Sequence, residues 1–214
     1  MYDLLMRLPL LVWASFSTVK QLRWFVYIDI RNKSPIDFVY AVHIAMRLST
    51  TAFLALVAAV VILRTRPSGK ASGLEPRIAA LVGSFLTYGI ALFPRRELSL
   101  PAEMVSATLM LIGTAGAVVA LSQLGRSFSI MAETRQLVTR GAYRLVRHPL
   151  YLTEGIAIFG LFIQFASVWT TLLLAVQIAC QLRRMHYEEM VLSMDFPQYH
   201  LYKQNTARLI PGIY

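Results

Sequence analysis

Arg147-His148-Pro149-Leu150-Tyr151-Leu152-Thr153-Glu154 is the point at which a basic loop gives way to an apolar run that reaches Leu182. One membrane span takes about 20 residues, so a run of that length folds back on itself. The break at Ala166-Ser167 places the turn and predicts an antiparallel helical hairpin. Pro149 can open the first helix without forfeiting a hydrogen bond, because the first N–H groups of a helix have no partner within it. Tyr151 then lies in the first turn and Glu154 about one turn deeper. The unpaired N–H groups and the positive end of the helix dipole favour an anion there. In an antiparallel pair the second helix ends where the first begins, which brings Glu188 and Glu189 beside His148 and Tyr151. A carboxylate, an aromatic ring and a helix start in one place suit a zwitterion, its carboxylate at the helix start and its ammonium at a glutamate.

Composition sets the surroundings of that hairpin. The chain is 57% hydrophobic and 15% charged, whereas an ordinary soluble domain is about a quarter charged. The reading is an all-α integral membrane protein with one small domain. The net charge of +10 comes from Lys and Arg gathered in loops between apolar runs. In a membrane protein such loops lie on the cytoplasmic side and meet anionic lipid headgroups. No groove of basic and aromatic residues stands out, which excludes nucleic acid as a partner. Cys180 is the single cysteine, so no internal disulfide and no cysteine-built zinc site can form. No paired-histidine metal motif is present either, and no metal ligands are assigned.

Outward from the hairpin, residues 123–148 form a basic connection with Arg126, Arg135, Arg140, Arg144 and Arg147. Upstream of it Pro101 to Leu124 reads as a span whose Gly113-Thr114-Ala115-Gly116-Ala117 run offers a small-residue face for close helix packing. Ile78 to Phe93 is a second span. Arg64 to Arg77 is a basic cytoplasmic loop. Ile36 to Leu63, after the start signal Ser34-Pro35, is the first span, with His43 and Arg47 on one face. Counting the hairpin twice gives about five spans. Leu4 to Ile30 is apolar at helical spacing but interrupted by Arg7, Lys20 and Arg23. It carries no small-residue cleavage site and is expected to be an amphipathic helix in the membrane interface, with a true span as the competing reading. The chain thus divides into an interfacial segment (1–35), three spans (36–124) and a catalytic region (125–214). In that region loop, hairpin and cytoplasmic tail form one pocket.

The ordered run Leu137-Val138-Thr139-Arg140-Gly141-Ala142-Tyr143, then Arg147-His148-Pro149-Leu150-Tyr151, resembles the isoprenylcysteine carboxyl methyltransferase family and its phospholipid methyltransferase relatives. The pattern continues as Glu188-Glu189-Met190-Val191-Leu192, Phe196-Pro197, Tyr199, Tyr202 and Ile210-Pro211, and Gly125-Arg126-Ser127-Phe128-Ser129 resembles the segment upstream. The likeness covers about residues 121–214; residues 1–120 match in hydropathy only. It implies a bacterial-type membrane methyltransferase that uses S-adenosylmethionine, releases S-adenosylhomocysteine and needs no metal. The site faces the cytoplasm at the inner membrane, and a lipophilic acceptor enters sideways from the bilayer.

By the same resemblance Tyr143, His148, Pro149, Tyr151, Glu188, Glu189, Tyr199 and Tyr202 are the cofactor-site residues. Arg126, Arg147 and Glu154 are the candidates for the chemistry, with Arg126 holding a carboxylate acceptor. Carboxyl O-methylation is the leading expectation. N-methylation of an aminophospholipid or S-methylation of a small thiol are the alternatives on the same scaffold. Two departures stand out: Pro197 replaces the usual glycine after Phe196, and the helix from Val105 to Gln123 lacks the arginine that prenylcysteine enzymes tend to carry. A membrane reductase of the steroid reductase type, using NADPH, is the reading from another class. The oligomeric state is not legible.

Overall fold

The structure is a computed structural model that describes residues 11–23, 38–63, 65 and 67–212. Its elements are α1 (11–23), α2 (Phe38–Leu63), α3 (Glu75–Phe85), α4 (Leu100–Leu124), α5 (Pro149–Phe165), α6 (Val168–Asp195) and α7 (Tyr199–Asn205). A 3-10 helix, Leu86–Leu92, continues α3. Two strands of two residues each, β1 (Gly69–Lys70) and β2 (Glu133–Thr134), pair antiparallel with Gly69 opposite Thr134. The fold is therefore all-α, with this short ribbon clipping two loops together.

Among the described residues, α2 and α4 are long and apolar enough to cross a membrane. The other expected spans take different forms. Ile78 to Phe93 is divided between α3 and the 3-10 segment, α5 is a shorter apolar helix of 17 residues, and α6 is apolar only in its first half. Within the expected interfacial segment 1–35, residues 11–23 are helical, and the remainder, with Leu4, Arg7, Leu8 and Val26, lies outside the described residues. The start signal Ser34-Pro35 and residues 36 and 37 lie outside them too.

The turn at Ala166-Ser167 is where the sequence puts it. Ser167 caps α6 by accepting a hydrogen bond from Thr170 N, and the Thr170 hydroxyl accepts one from Ser167 N in return. The two helices do not pack along their lengths, however. α5 packs chiefly on α4, and α6 chiefly on α3. The cause lies in the small residues. A Cβ on Gly160 of α5 would sit 2.8 Å from the Ser106 carbonyl of α4. The Ser106 hydroxyl donates to the Gly160 carbonyl at 2.7 Å. A Cβ on Gly113 would lie 2.7 Å from both Ala157 Cβ and the Thr153 carbonyl. Gly113→Ala is therefore expected to lower stability by about 1–3 kcal/mol through forced separation of α4 and α5. Gly155→Ala, where a Cβ meets nothing, serves as the neutral comparison. Thermal unfolding of the two purified variants checks this.

Because α5 leans on α4 and α6 on α3, the hairpin splays around a cavity of about 630 Å³. α1 closes its side. Trp13 packs edge-on against Phe85 and Tyr88, and Ala14 is fully buried. Ser17, Lys20 and Gln21 of α1 and Arg47 of α2 line the cavity, while Val12, Phe16 and Val19 face outward. Ser15, Lys20 and Arg23 of α1 are exposed as well.

Candidate functional site

The site begins where α4 stops. Gly125 takes φ +51, a conformation that favours glycine, and turns the chain into a short 3-10 helix, Gly125–Ser127. Gln123, just inside α4, accepts a hydrogen bond from Ala142 N at 2.7 Å. That bond holds the turn Gly141–Arg144 against the helix end and buries Tyr143. Downstream, Arg147 N and His148 N donate to the carbonyls of Ala207 and Arg208 at 2.8 and 3.1 Å. The tail is thereby laced to the start of α5, and the Tyr202 hydroxyl adds a 2.5 Å bond to the Tyr143 carbonyl. Loop, hairpin start and tail converge as the sequence predicts.

Between them lies a cleft of about 100 Å³. Of the expected cofactor residues, Tyr143, His148, Tyr151, Glu188, Tyr199 and Tyr202 line it. His148 stacks on Tyr151 with ring centroids 5.4 Å apart and planes 10° from parallel. The Tyr151 hydroxyl bonds the Glu188 carboxylate. Arg184 Nε is 3.3 Å from the same carboxylate oxygen, and its guanidinium lies 4.7 Å over the Tyr151 ring. Arg184, 4% exposed, also donates to Ser84 Oγ at 2.9 Å and to the Ser129 carbonyl at 3.2 Å. The opposite wall is the segment 127–138, held by the β1–β2 pairing.

The two glutamates have separate positions. Glu188 lines the cleft; Glu189 lies behind it, 4% exposed. Arg147 Nε, His148 Nε2 and Arg208 Nε approach one Glu189 oxygen at 3.0, 3.1 and 3.1 Å, and Lys203 Nζ is 3.6 Å from the other. Burial pushes the Glu189 carboxyl up. The bond with His148 and the charges of His148, Arg208 and Arg147 outweigh it and hold the group at about 2. A carboxyl depressed from its ordinary 4.5 stabilises the fold fully above that value and loses the contribution as pH falls toward 2. The unfolding midpoint of the purified protein should fall across that window, and less so in Glu189→Gln.

Several expectations are corrected by these positions. Arg147 lines the cleft and donates to Glu189 and to the carbonyls of Lys203 and Thr206, so it fastens the tail beside the site. Pro149 is buried as the first residue of α5 and does not line the cleft. Arg126 is exposed, and its Nε donates to the Leu63 carbonyl at 2.8 Å, so it caps the end of α2 and reaches neither cavity. Glu154 lines the large cavity. Arg184 was missed as a site residue because an arginine just past an apolar run reads as a membrane-surface anchor. Its place four residues before Glu188, one helical turn, was the available signal.

The cleft and the large cavity lie back to back and share only Phe128, Leu150 and Tyr151. A polar cleft at the loop end and an apolar cavity between helices can hold a charged small molecule and a lipophilic one on the two faces of one thin wall.

Residues 102–199 match the phospholipid methyltransferase family. This family segment runs from the start of α4 to Tyr199 and contains the α4–α5 interface, His148, Glu188 and Glu189. It bears out the resemblance to isoprenylcysteine carboxyl methyltransferase-like proteins over the stretch they share. Among curated relatives, the chain is 30% identical over 114 residues to a nickel-cobalt-cadmium resistance protein of Alcaligenes xylosoxydans xylosoxydans, covering 51% of this chain and 53% of that protein. It is 31% identical over 114 residues to a cobalt-zinc-cadmium resistance protein of Cupriavidus metallidurans, covering 51% and 52%. The chain spans about half the length of the curated relatives it matches.

Proposed function

We propose that the protein is an S-adenosylmethionine-dependent methyltransferase of the bacterial inner membrane, loaded from the cytoplasm and acting on a lipophilic acceptor. The observation that carries this is the pair of cavities separated by Phe128, Leu150 and Tyr151. The donor set of the cleft fits the cofactor. Glu188 offers a carboxylate to its ammonium group, and the rings of His148, Tyr143 and Tyr202 wall the adenosine. The Tyr199 hydroxyl is buried without a hydrogen-bond partner among the described residues. Burial, then the charge of Glu189, pushes that phenol above its ordinary range, so it stays a donor at neutral pH. Ligand sites usually enclose about 300–1,000 Å³, so the segment 127–138 must lift for the cofactor to enter.

When bound, the cofactor supplies a methyl group already activated on a sulfonium. The protein's task is alignment and exclusion of water. Tyr151, held by Glu188, His148 and Arg184, keeps the dividing wall rigid. The apolar lining of the cavity keeps water from the acceptor. Arg126 caps α2, and the arginine on which transfer to a carboxylate was expected to rest is absent from the site. The acceptor cavity carries Lys20, Arg47 and Arg184, so the choice between carboxyl, amine and thiol acceptors is left to the assay.

Helix dimensions support five spans. The 11 residues of α3 and seven of the 3-10 segment extend about 30 Å together, and α5 reaches about 25 Å at the short end of the spanning range. The basic loops on the cleft side favour its facing the cytoplasm.

The test is transfer of labelled methyl from S-adenosylmethionine into a bacterial lipid extract, followed by base. Label released as volatile methanol means a carboxyl ester; label stable to base means N- or S-methylation. Binding of NADPH with no binding of S-adenosylhomocysteine favours the reductase instead.

A further inference from the structure

A cleft of about 100 Å³ does not admit the proposed cofactor, so one of its walls must move. The fastenings of the walls differ. The start of α5 packs on α4, and the tail is laced to it by backbone bonds and by the cluster around Glu189. The wall 127–138 is rooted in the core by Phe128, and the Ser129 carbonyl accepts from Arg184. Beyond Ser129 it is backed by residues 67–71 of the α2–α3 loop, which lie behind it as a strap. Ser68 N and Ala71 N donate to the carbonyls of Thr134 and Ala132 at 2.8 and 2.9 Å. Ala71 and Ala132 make a small apolar contact with Val191 of α6. Wall and strap then meet the end of α6 at Asp195. The buried Thr134 hydroxyl donates to the Asp195 carboxylate. The Ser68 hydroxyl lies 3.3 Å from the same oxygen and 3.2 Å from Thr134 Oγ1, so the three side chains form one network. A Cβ on Gly69 would run into that carboxylate, so only glycine lets the strap come this close. Asp195 is exposed, and water can take over its bonds when they break. Neither Asp195 nor Ser68 lines the cleft.

We propose that Asp195, acting through Thr134 and Ser68, is the latch on this wall, and that its release sets how fast the cofactor enters and leaves. This rests on the methyltransferase reading. Asp195 is a positioning residue, since it holds wall and strap and does not touch the ligand. The latch is closed over the empty cleft and over a bound cofactor alike. Weakening it therefore raises the open population of both forms by one factor, so entry and exit quicken together and affinity stays where it was. A residue that shapes the bound site would change exit alone, and affinity with it.

Exchange of tritiated S-adenosylhomocysteine on the full chain in detergent is timed for the parent, Asp195→Ala and Ser68→Ala. Association and dissociation are expected to quicken together by roughly three- to tenfold, the scale of one net hydrogen bond, at unchanged equilibrium affinity. In the ligand-free chain, the amides of 67–71 and 129–138 should exchange with deuterium faster in each variant by a similar factor, with α4 and α5 unaffected. Unchanged rates in both variants, or an affinity that falls through dissociation alone, overturns the latch. If Asp195→Ala does not fold, Ser68→Ala decides. If the parent does not bind S-adenosylhomocysteine, the methyltransferase reading is lost. Deuterium exchange in the ligand-free variants still decides the latch in that case, and exchange equal to the parent's overturns it.

Discussion

Glu188→Gln is expected to weaken S-adenosylhomocysteine binding ten- to a hundredfold while leaving the protein folded. Glu188 is the carboxylate that lines the cleft, and a hydrogen bond to a charged group contributes about 1.5–3 kcal/mol. Glutamine keeps the shape and still accepts from the Tyr151 hydroxyl. Arg184 loses an ion pair but retains Ser84, the Ser129 carbonyl and the face of Tyr151. The variant therefore separates a charge that a ligand uses from a charge that the fold uses. Calorimetry in detergent reads it, and an unchanged affinity would remove Glu188 from the cofactor site.

Glu189→Ala should give the opposite pattern, a loss of stability of about 3–5 kcal/mol, the usual consequence of removing one partner from a buried ionic cluster. Arg147, His148, Arg208 and Lys203 all converge on this carboxylate. Without it their positive charges repel where the tail is laced to the start of α5. The tail should come away first, because its remaining ties are few: the backbone bonds at Ala207 and Arg208, the Arg147 bonds to the Lys203 and Thr206 carbonyls, and the Tyr202 bond to Tyr143. Equilibrium unfolding measures the loss, and limited proteolysis should cut between residues 199 and 212 before the helices. A variant as stable and as protease-resistant as the parent contradicts this assignment.

Much of the site was legible because its order along the chain carries the geometry. A proline-opened helix, a turn at Ser167 and a pair of glutamates one helix later are enough to place His148 and Tyr151 beside Glu188 and Glu189. The two glutamates could not be told apart, because adjacent residues on a helix point about 100° apart and which one meets the cleft depends on rotation of α6. That rotation is set by its contacts with α3. Arg126 misled for a related reason. A basic residue after a span serves equally as an anchor, a cap or a ligand contact, and its Nε–Leu63 bond depends on where α2 ends. The small-residue run at Gly113 announced a close helix contact but not its partner, which proved to be α5. The large cavity had no signature of its own, since it arises from two helix pairs leaning apart.

On the proposed function, the cleft between residues 127–138, the start of α5 and the tail holds the methyl donor. Titrating the detergent-solubilised protein with S-adenosylhomocysteine and, separately, with NADPH tests it most directly. Saturable one-to-one binding of S-adenosylhomocysteine at micromolar concentration, with no binding of NADPH, is the predicted result. No binding of S-adenosylhomocysteine, or saturable binding of NADPH in its place, would contradict it.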